Sequence, residues 1–87
     1  SIAGQMAAVA ALEDRAFEAM SIAHVQRWRL WLAERLAALG LEVVPSQANF
    51  VLVGFGREPG RTAADADALL ARRGLIVRAV GNYGLPD

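Results

Sequence analysis

The chain has 87 residues, of which 55% are hydrophobic and 21% are charged, and its formal net charge is zero. This composition is typical of one small globular domain and argues against disorder. The balanced charge argues against a nucleic-acid-binding surface. With no cysteine and a single histidine, the sequence offers neither a disulfide nor a typical zinc site.

The basic residues are all arginine. The chain contains nine arginines and no lysine, so it has no side-chain amine that could form a Schiff base. No apolar stretch approaches the roughly 20 residues that a membrane span requires, and no signal peptide is recognisable. We therefore expect a cytosolic protein.

The first half of the chain predicts three helices. Apolar residues recur at helical spacing over residues 2–12, which indicates the first helix. Asp14 can cap a short second helix over residues 15–20. Ser21 can cap a long third helix over residues 22–39, and Gly40 is expected to end that helix.

The long third helix carries one continuous apolar face. Its apolar residues are spaced three and four positions apart, so we expect this face to point toward the core. The face is formed by Val25, Trp28, Leu32, Leu36 and Leu39. Trp31 lies beside it and is predicted to meet another surface.

The second half predicts three strands and one helix. The strands are expected over residues 42–44, 49–55 and 75–80. The helix lies between the second and third strands, from a cap at Thr62 to about Arg73. The expected fold class is α/β, an α+β small domain whose N-terminal helices pack on a small, incomplete three-stranded sheet.

The chain closes with a loop over residues 81–87 that leads to no further element. A sheet with an unpaired edge, followed by such a loop, is unusual for a complete domain. We therefore expect residues 1–87 to be a single truncated domain.

Four segments of the chain carry distinctive motifs: G-Q-M-A-A-V-A-A-L at 4–12, P-S-Q-A-N-F at 45–50, R-G-L-I-V-R at 73–78 and N-Y-G-L-P-D at 82–87. These segments resemble the histidinol-phosphate aminotransferase family. Each motif alone is only moderately specific, but their order and spacing extend the resemblance over essentially the whole chain. Gly4 stands where the family usually has alanine.

The resemblance implies a fold-type I aminotransferase that depends on pyridoxal 5'-phosphate. Residues 1–87 would be its C-terminal small domain, and the parent enzyme would be a homodimer. The implied reaction transfers an amino group between histidinol phosphate and 2-oxoglutarate in histidine biosynthesis. The cofactor-binding lysine and the large domain would lie outside this chain, which alone would bind no pyridoxal phosphate and be inactive.

Three residues are candidates for substrate binding, and none is predicted to be catalytic, cofactor-binding or metal-ligating. Arg78 ends an apolar strand where the family pattern places an arginine facing the substrate, and a guanidinium suits a phosphate or carboxylate. Asn49 is a poor strand former at the start of a strand. It either contacts the substrate side or caps the turn after Pro45. Tyr83 either lines the mouth of the site or simply packs or lies exposed.

Two alternative functions remain compatible with the sequence. Aromatic amino-acid aminotransferases share this domain, and a stand-alone α/β ligand-binding or regulatory module is also possible. A stand-alone module would close its sheet and leave no broad apolar surface. A truncated domain would expose such a surface, and we expect it to self-associate.

Overall fold

The computed structural model describes all residues, Ser1–Asp87. In chain order, the elements are helix α1 (Ile2–Glu13), helix α2 (Arg15–Ala38), strand β1 (Glu42–Val44), strand β2 (Leu52–Gly54), helix α3 (Ala63–Arg72) and a 3-10 turn (Gly81–Tyr83). The mixture of helices with a small sheet agrees with the predicted α/β class. The sheet, however, has two strands and not three.

One residue, Asp14, separates the first two helices. Its backbone leaves the helical region, and its carboxylate accepts a hydrogen bond from the N–H of Phe17 at 3.0 Å. The predicted second break at Ser21 is wrong, because Ser21 lies inside the 24-residue helix α2. No glycine or proline surrounds it, and the small helix penalty of serine does not outweigh an unbroken series of backbone hydrogen bonds.

The two strands pair in antiparallel fashion. Val43 lies opposite Val53, with Glu42 opposite Gly54 and Val44 opposite Leu52. The first strand therefore has its predicted bounds. The second is shorter than the predicted 49–55, because a strand extends only as far as it has a backbone partner and β1 supplies three residues.

The predicted strand over residues 75–80 is absent, and the prediction of a three-stranded sheet is wrong for the same reason. Its apolar side chains favour an extended backbone, but they do not supply a neighbouring strand to pair with. The segment follows the end of α3, where the N–H of Leu75 donates to the carbonyl of Leu70 at 2.9 Å. The side chain of Ile76 is left 83% exposed.

Helix α2 packs on β1 through a stripe that differs from the predicted face. The half-buried residues of this stripe are Ser21, Val25, Arg29, Ala33 and Leu36. Only Val25 and Leu36 of the predicted face belong to it. The other three residues of the predicted face are exposed: Trp28, Leu32 and the C-cap residue Leu39. Together with the exposed Phe17 and Trp31 they form a surface that we call the open face of α2.

The chain builds no buried core. No residue is fully buried, and the accessible surface of 7440 Å² exceeds the about 5,000 Å² expected of a folded protein of this mass. The radius of gyration is 17.1 Å, against about 12 Å for a compact chain of this length. None of the helices combines the length and apolar character needed to cross a bilayer.

Helix α1 contributes much of the uncovered surface. Residues 1–20 are all exposed, and no charged residue occurs before Glu13. The apolar side chains of α1 are distributed around the helix and not along one side. A helix that is apolar all round is normally buried within a larger protein. The chain therefore presents a broad apolar surface.

Helix α3 begins with a reciprocal cap between Thr62 and Asp65. The hydroxyl of Thr62 accepts a hydrogen bond from the N–H of Asp65 at 3.2 Å, and the Asp65 carboxylate accepts from the N–H of Thr62 at 3.0 Å. The Thr62 hydroxyl also donates to this carboxylate at 2.8 Å. The backbone hydrogen bond from Thr62 and then its hydroxyl lower the pKa of Asp65 below its usual value.

We expect the stability of α3 to depend on pH through Asp65. Because its pKa is lower in the folded chain, the stabilisation is present above the unfolded pKa of about 3.9 and is lost as the pH falls through the folded value. An NMR carboxyl titration measures this pKa directly. Asp65→Asn should remove the pH dependence, whereas Asp67→Asn on the same helix should retain it. An Asp65 pKa at or above the usual value would contradict the prediction.

Candidate functional site

The three predicted substrate-binding residues lie in three separate irregular segments. Asn49 lies in the bend between the strands, Arg78 in the segment after α3, and Tyr83 at the end of the 3-10 turn. All three are exposed to solvent. The structure brings no two of them together by a hydrogen bond or an ion pair, so their shared role stays a prediction.

The guanidinium of Arg78 is free to bind an anion. Neither of the two salt bridges of the chain involves it; they join Arg57 to Asp87 and Arg61 to Glu58. Arg78 therefore presents its N–H donors to solvent. A planar guanidinium of this kind can donate two parallel hydrogen bonds to a phosphate or carboxylate.

Asn49 follows a turn that two hydrogen bonds hold in place. The N–H of Ala48 donates to Oγ of Ser46 at 3.1 Å, and the carbonyl of Ala48 accepts from Nη1 of Arg29 at 2.7 Å. This turn lines an open groove formed by Val44, Pro45, Ser46, Gln47, Ala48, Phe50 and Leu52. Hydrogen bonds therefore hold both the N–H and the carbonyl of Ala48, the residue immediately before Asn49.

Arg29 was not among the residues predicted to have a functional role. A signal was available, since Arg29 lies four residues after Val25 and seven before Leu36, on the same side of a helix. A cation on the side that meets the sheet needs a hydrogen-bond acceptor there. The acceptor, the Ala48 carbonyl, is 19 residues away in sequence, and only the folded chain identifies it.

The loop that carries Tyr83 returns to the end of β2. The N–H of Phe55 donates to the backbone carbonyl of Asp87 at 2.8 Å. Nε of Arg57 donates to the Asp87 carboxylate at 3.0 Å and 3.2 Å. Because Arg57 is largely exposed, this ion pair contributes little stability, and the backbone hydrogen bond is the firmer anchor.

The two tryptophans of α2 contact each other, and each ring also contacts the guanidinium of an arginine. Their rings meet edge to face with centroids 5.6 Å apart. The guanidinium of Arg27 lies 5.1 Å from the Trp28 ring, and that of Arg35 lies 5.2 Å from the Trp31 ring. His24 contacts Trp28 at 6.2 Å between ring centroids. These contacts hold the two exposed rings against neighbouring side chains of the same helix.

The arrangement can orient an anionic molecule through exposed donors. It has no lysine, and no group of three or more histidine, aspartate or glutamate side chains is placed to hold a metal ion.

The comparisons with known proteins cover the whole chain. Residues 1–87 match the family model for aminotransferase class I and II. The chain is 57% identical over 86 residues to the histidinol-phosphate aminotransferase of Rhodopseudomonas palustris strain BisB18, covering 99% of the chain and 24% of that protein. It is 59% identical, with the same coverage, to histidinol-phosphate aminotransferase 1 of Caulobacter vibrioides.

A third relative extends the same pattern. The histidinol-phosphate aminotransferase of Nitrobacter winogradskyi is 49% identical over 87 residues, which cover all of this chain and 24% of that protein. No solved structure matches the chain. The chain thus spans about a quarter of the length of the curated relatives that it matches. By its match over residues 1–87, the chain belongs to the class I and II aminotransferase family.

Proposed function

We propose that the chain is the C-terminal small domain of an aminotransferase dependent on pyridoxal 5'-phosphate. The full-length enzyme, a polypeptide of the relatives' length that contains this chain, would transfer the amino group of histidinol phosphate to 2-oxoglutarate. Imidazole-acetol phosphate and glutamate would be the products. The observation that carries this proposal is the identity of 47 to 59% to curated histidinol-phosphate aminotransferases over essentially every residue of the chain.

The residues present do not fit pyridoxal phosphate itself. When bound, this cofactor supplies the electron sink of transamination, and a lysine amine holds it covalently. The chain contains no lysine, so the anchor must come from residues outside these 87. We therefore assign no cofactor-binding role to the chain and expect it to be inactive alone.

The role left to this chain is recognition of the substrate's anionic end. Histidinol phosphate carries a phosphate, and 2-oxoglutarate carries a distal carboxylate. One arginine can bind both groups in turn through two parallel hydrogen bonds. Arg78 is exposed and free of salt bridges, which suits this role. Asn49 would contact the substrate side, and Tyr83 would line the mouth of the site.

The uncovered apolar surface supports a partner within the same polypeptide. Helix α1 and the open face of α2 are exposed, and a closed stand-alone module would cover them. The matched relatives have about three quarters of their length outside the matched region. We propose that the large domain covers both surfaces. A homodimeric enzyme and a cytosolic location stay predictions.

An amino-transfer assay of the full-length enzyme tests the proposal. We expect turnover with histidinol phosphate and 2-oxoglutarate, and a lower kcat/KM with aromatic amino acids. Preference for aromatic amino acids would instead identify an aromatic aminotransferase. The 87-residue chain, mixed with pyridoxal phosphate and reduced with borohydride, should show no side-chain adduct by mass spectrometry. Turnover by this chain alone would contradict the proposal.

A further inference from the structure

One side-chain hydrogen bond, from Arg29 to the carbonyl of Ala48, joins α2 to the turn that precedes Asn49. The N···O distance of 2.7 Å is short, as expected when the donor is charged. Arg29 itself is half-buried on the sheet-facing stripe of α2. It forms no salt bridge, so this carbonyl is the partner that the structure gives to its charge.

The acceptor belongs to the peptide group that leads into Asn49. The carbonyl of Ala48 and the N–H of Asn49 share one planar peptide unit. Fixing the carbonyl oxygen therefore fixes the direction in which the Asn49 backbone begins. The preceding peptide is held as well, because the N–H of Ala48 donates to Oγ of Ser46 at 3.1 Å.

Asn49 has no other restraint of this kind. It lies outside β2, is exposed, and none of the hydrogen bonds of the turn involves its side chain. Its orientation therefore depends on the peptide before it. Removal of the Arg29 guanidinium would leave the Ala48 carbonyl free to rotate away from α2.

We propose that Arg29 is a positioning residue that acts through Asn49. By holding the Ala48–Asn49 peptide against α2, it orients the Asn49 side chain toward the substrate. This inference rests on the proposed function, in which Asn49 contacts the substrate side. Arg29 itself touches no substrate, and its effect on the reaction passes through Asn49.

A double-mutant cycle in the full-length enzyme tests this role. Arg29→Met should lower kcat/KM for histidinol phosphate about 10-fold, mainly through KM, because a charged hydrogen bond that orients a binding group is lost. Arg29→Lys should restore part of the loss. In an Asn49→Ala background, Arg29→Met should have almost no further effect, since its target is already gone.

Arg27→Met is the matched control, because Arg27 lies on the same helix and contacts Trp28 instead of the turn. It should leave kcat/KM within about twofold, as expected for a surface change. The positioning role would be overturned if Arg29→Met lowered kcat/KM equally in the unaltered enzyme and in the Asn49→Ala background. It would also be overturned if Arg27→Met lowered kcat/KM as much as Arg29→Met does.

Hydrogen exchange over residues 45–50 separates this inference from the proposed function. Exchange should be faster in Arg29→Met than in the unaltered protein and unchanged in Arg27→Met. Unchanged exchange in Arg29→Met would overturn the inference, whatever the substrate. If the unaltered enzyme showed no turnover, the proposed function would be contradicted. Faster exchange in Arg29→Met would in that case still support the conclusion that Arg29 restrains the turn.

Discussion

Replacing Arg78 with glutamine in the full-length enzyme should lower kcat/KM for histidinol phosphate by about 100-fold, since two charge-assisted hydrogen bonds to the phosphate would be lost. The same change should weaken the use of 2-oxoglutarate, because one guanidinium is proposed to bind both anionic ends. Steady-state kinetics with each substrate varied in turn would measure the two effects. The structure supports a direct effect, since Arg78 is exposed and has no salt bridge to break.

Two further variants separate recognition from net charge. Arg78→Lys keeps the positive charge but cannot donate two parallel hydrogen bonds, so it should recover only part of the lost kcat/KM. Arg61→Gln removes an exposed arginine whose partner, Glu58, is 3.8 Å away, and it should have little effect. If Arg78→Gln keeps kcat/KM within about twofold of the unaltered enzyme, Arg78 does not bind the substrate.

The 87-residue chain on its own should form dimers or larger oligomers. Its accessible surface exceeds that of a compact protein of the same mass by roughly 2,400 Å², whereas a stable interface buries about 1,200–2,000 Å² in total. A second copy can therefore cover part of α1 and of the open face of α2. Analytical ultracentrifugation over a range of concentrations would measure the association. A monomer at every concentration would contradict the prediction.

A pair of variants on α2 locates the interface. Leu32 belongs to the open face, whereas Leu30 lies two residues earlier and therefore on nearly the opposite side of the helix. Leu32→Glu should weaken association at least 10-fold, because it places a charge in an apolar contact. Leu30→Glu makes the same chemical change on the other side and should not. Fluorescence of Trp28 and Trp31 reports the covering of this face directly.

Local signals in the sequence predicted the helices and most of their ends. Asp14 and Thr62 cap α2 and α3 as expected, because a capping side chain bonds to backbone N–H groups only a few residues away. Ser21 failed as a predicted cap for a related reason. A serine caps a helix only where the backbone already leaves the helical conformation, and nothing before Ser21 forces that change.

The sheet and the packing of α2 could not be predicted from the same signals. Residues 75–80 have the composition of a strand but no neighbour to pair with, and pairing is a property of two segments. Spacing identified an apolar face on α2 without indicating which part of it meets β1. In the structure that contact includes Arg29 and leaves Trp28 and Leu32 exposed.

Residue types and local spacing were enough to identify the family resemblance, the lack of a lysine, the caps at Asp14 and Thr62, and the three candidate residues Arg78, Asn49 and Tyr83. These features depend on residue identity and on interactions across one or two helical turns. The two-stranded sheet, the open face of α2 and the hydrogen bond from Arg29 to Ala48 became visible only in the folded chain. Each of these joins or separates groups far apart in the chain, and local propensity carries no information about such distances.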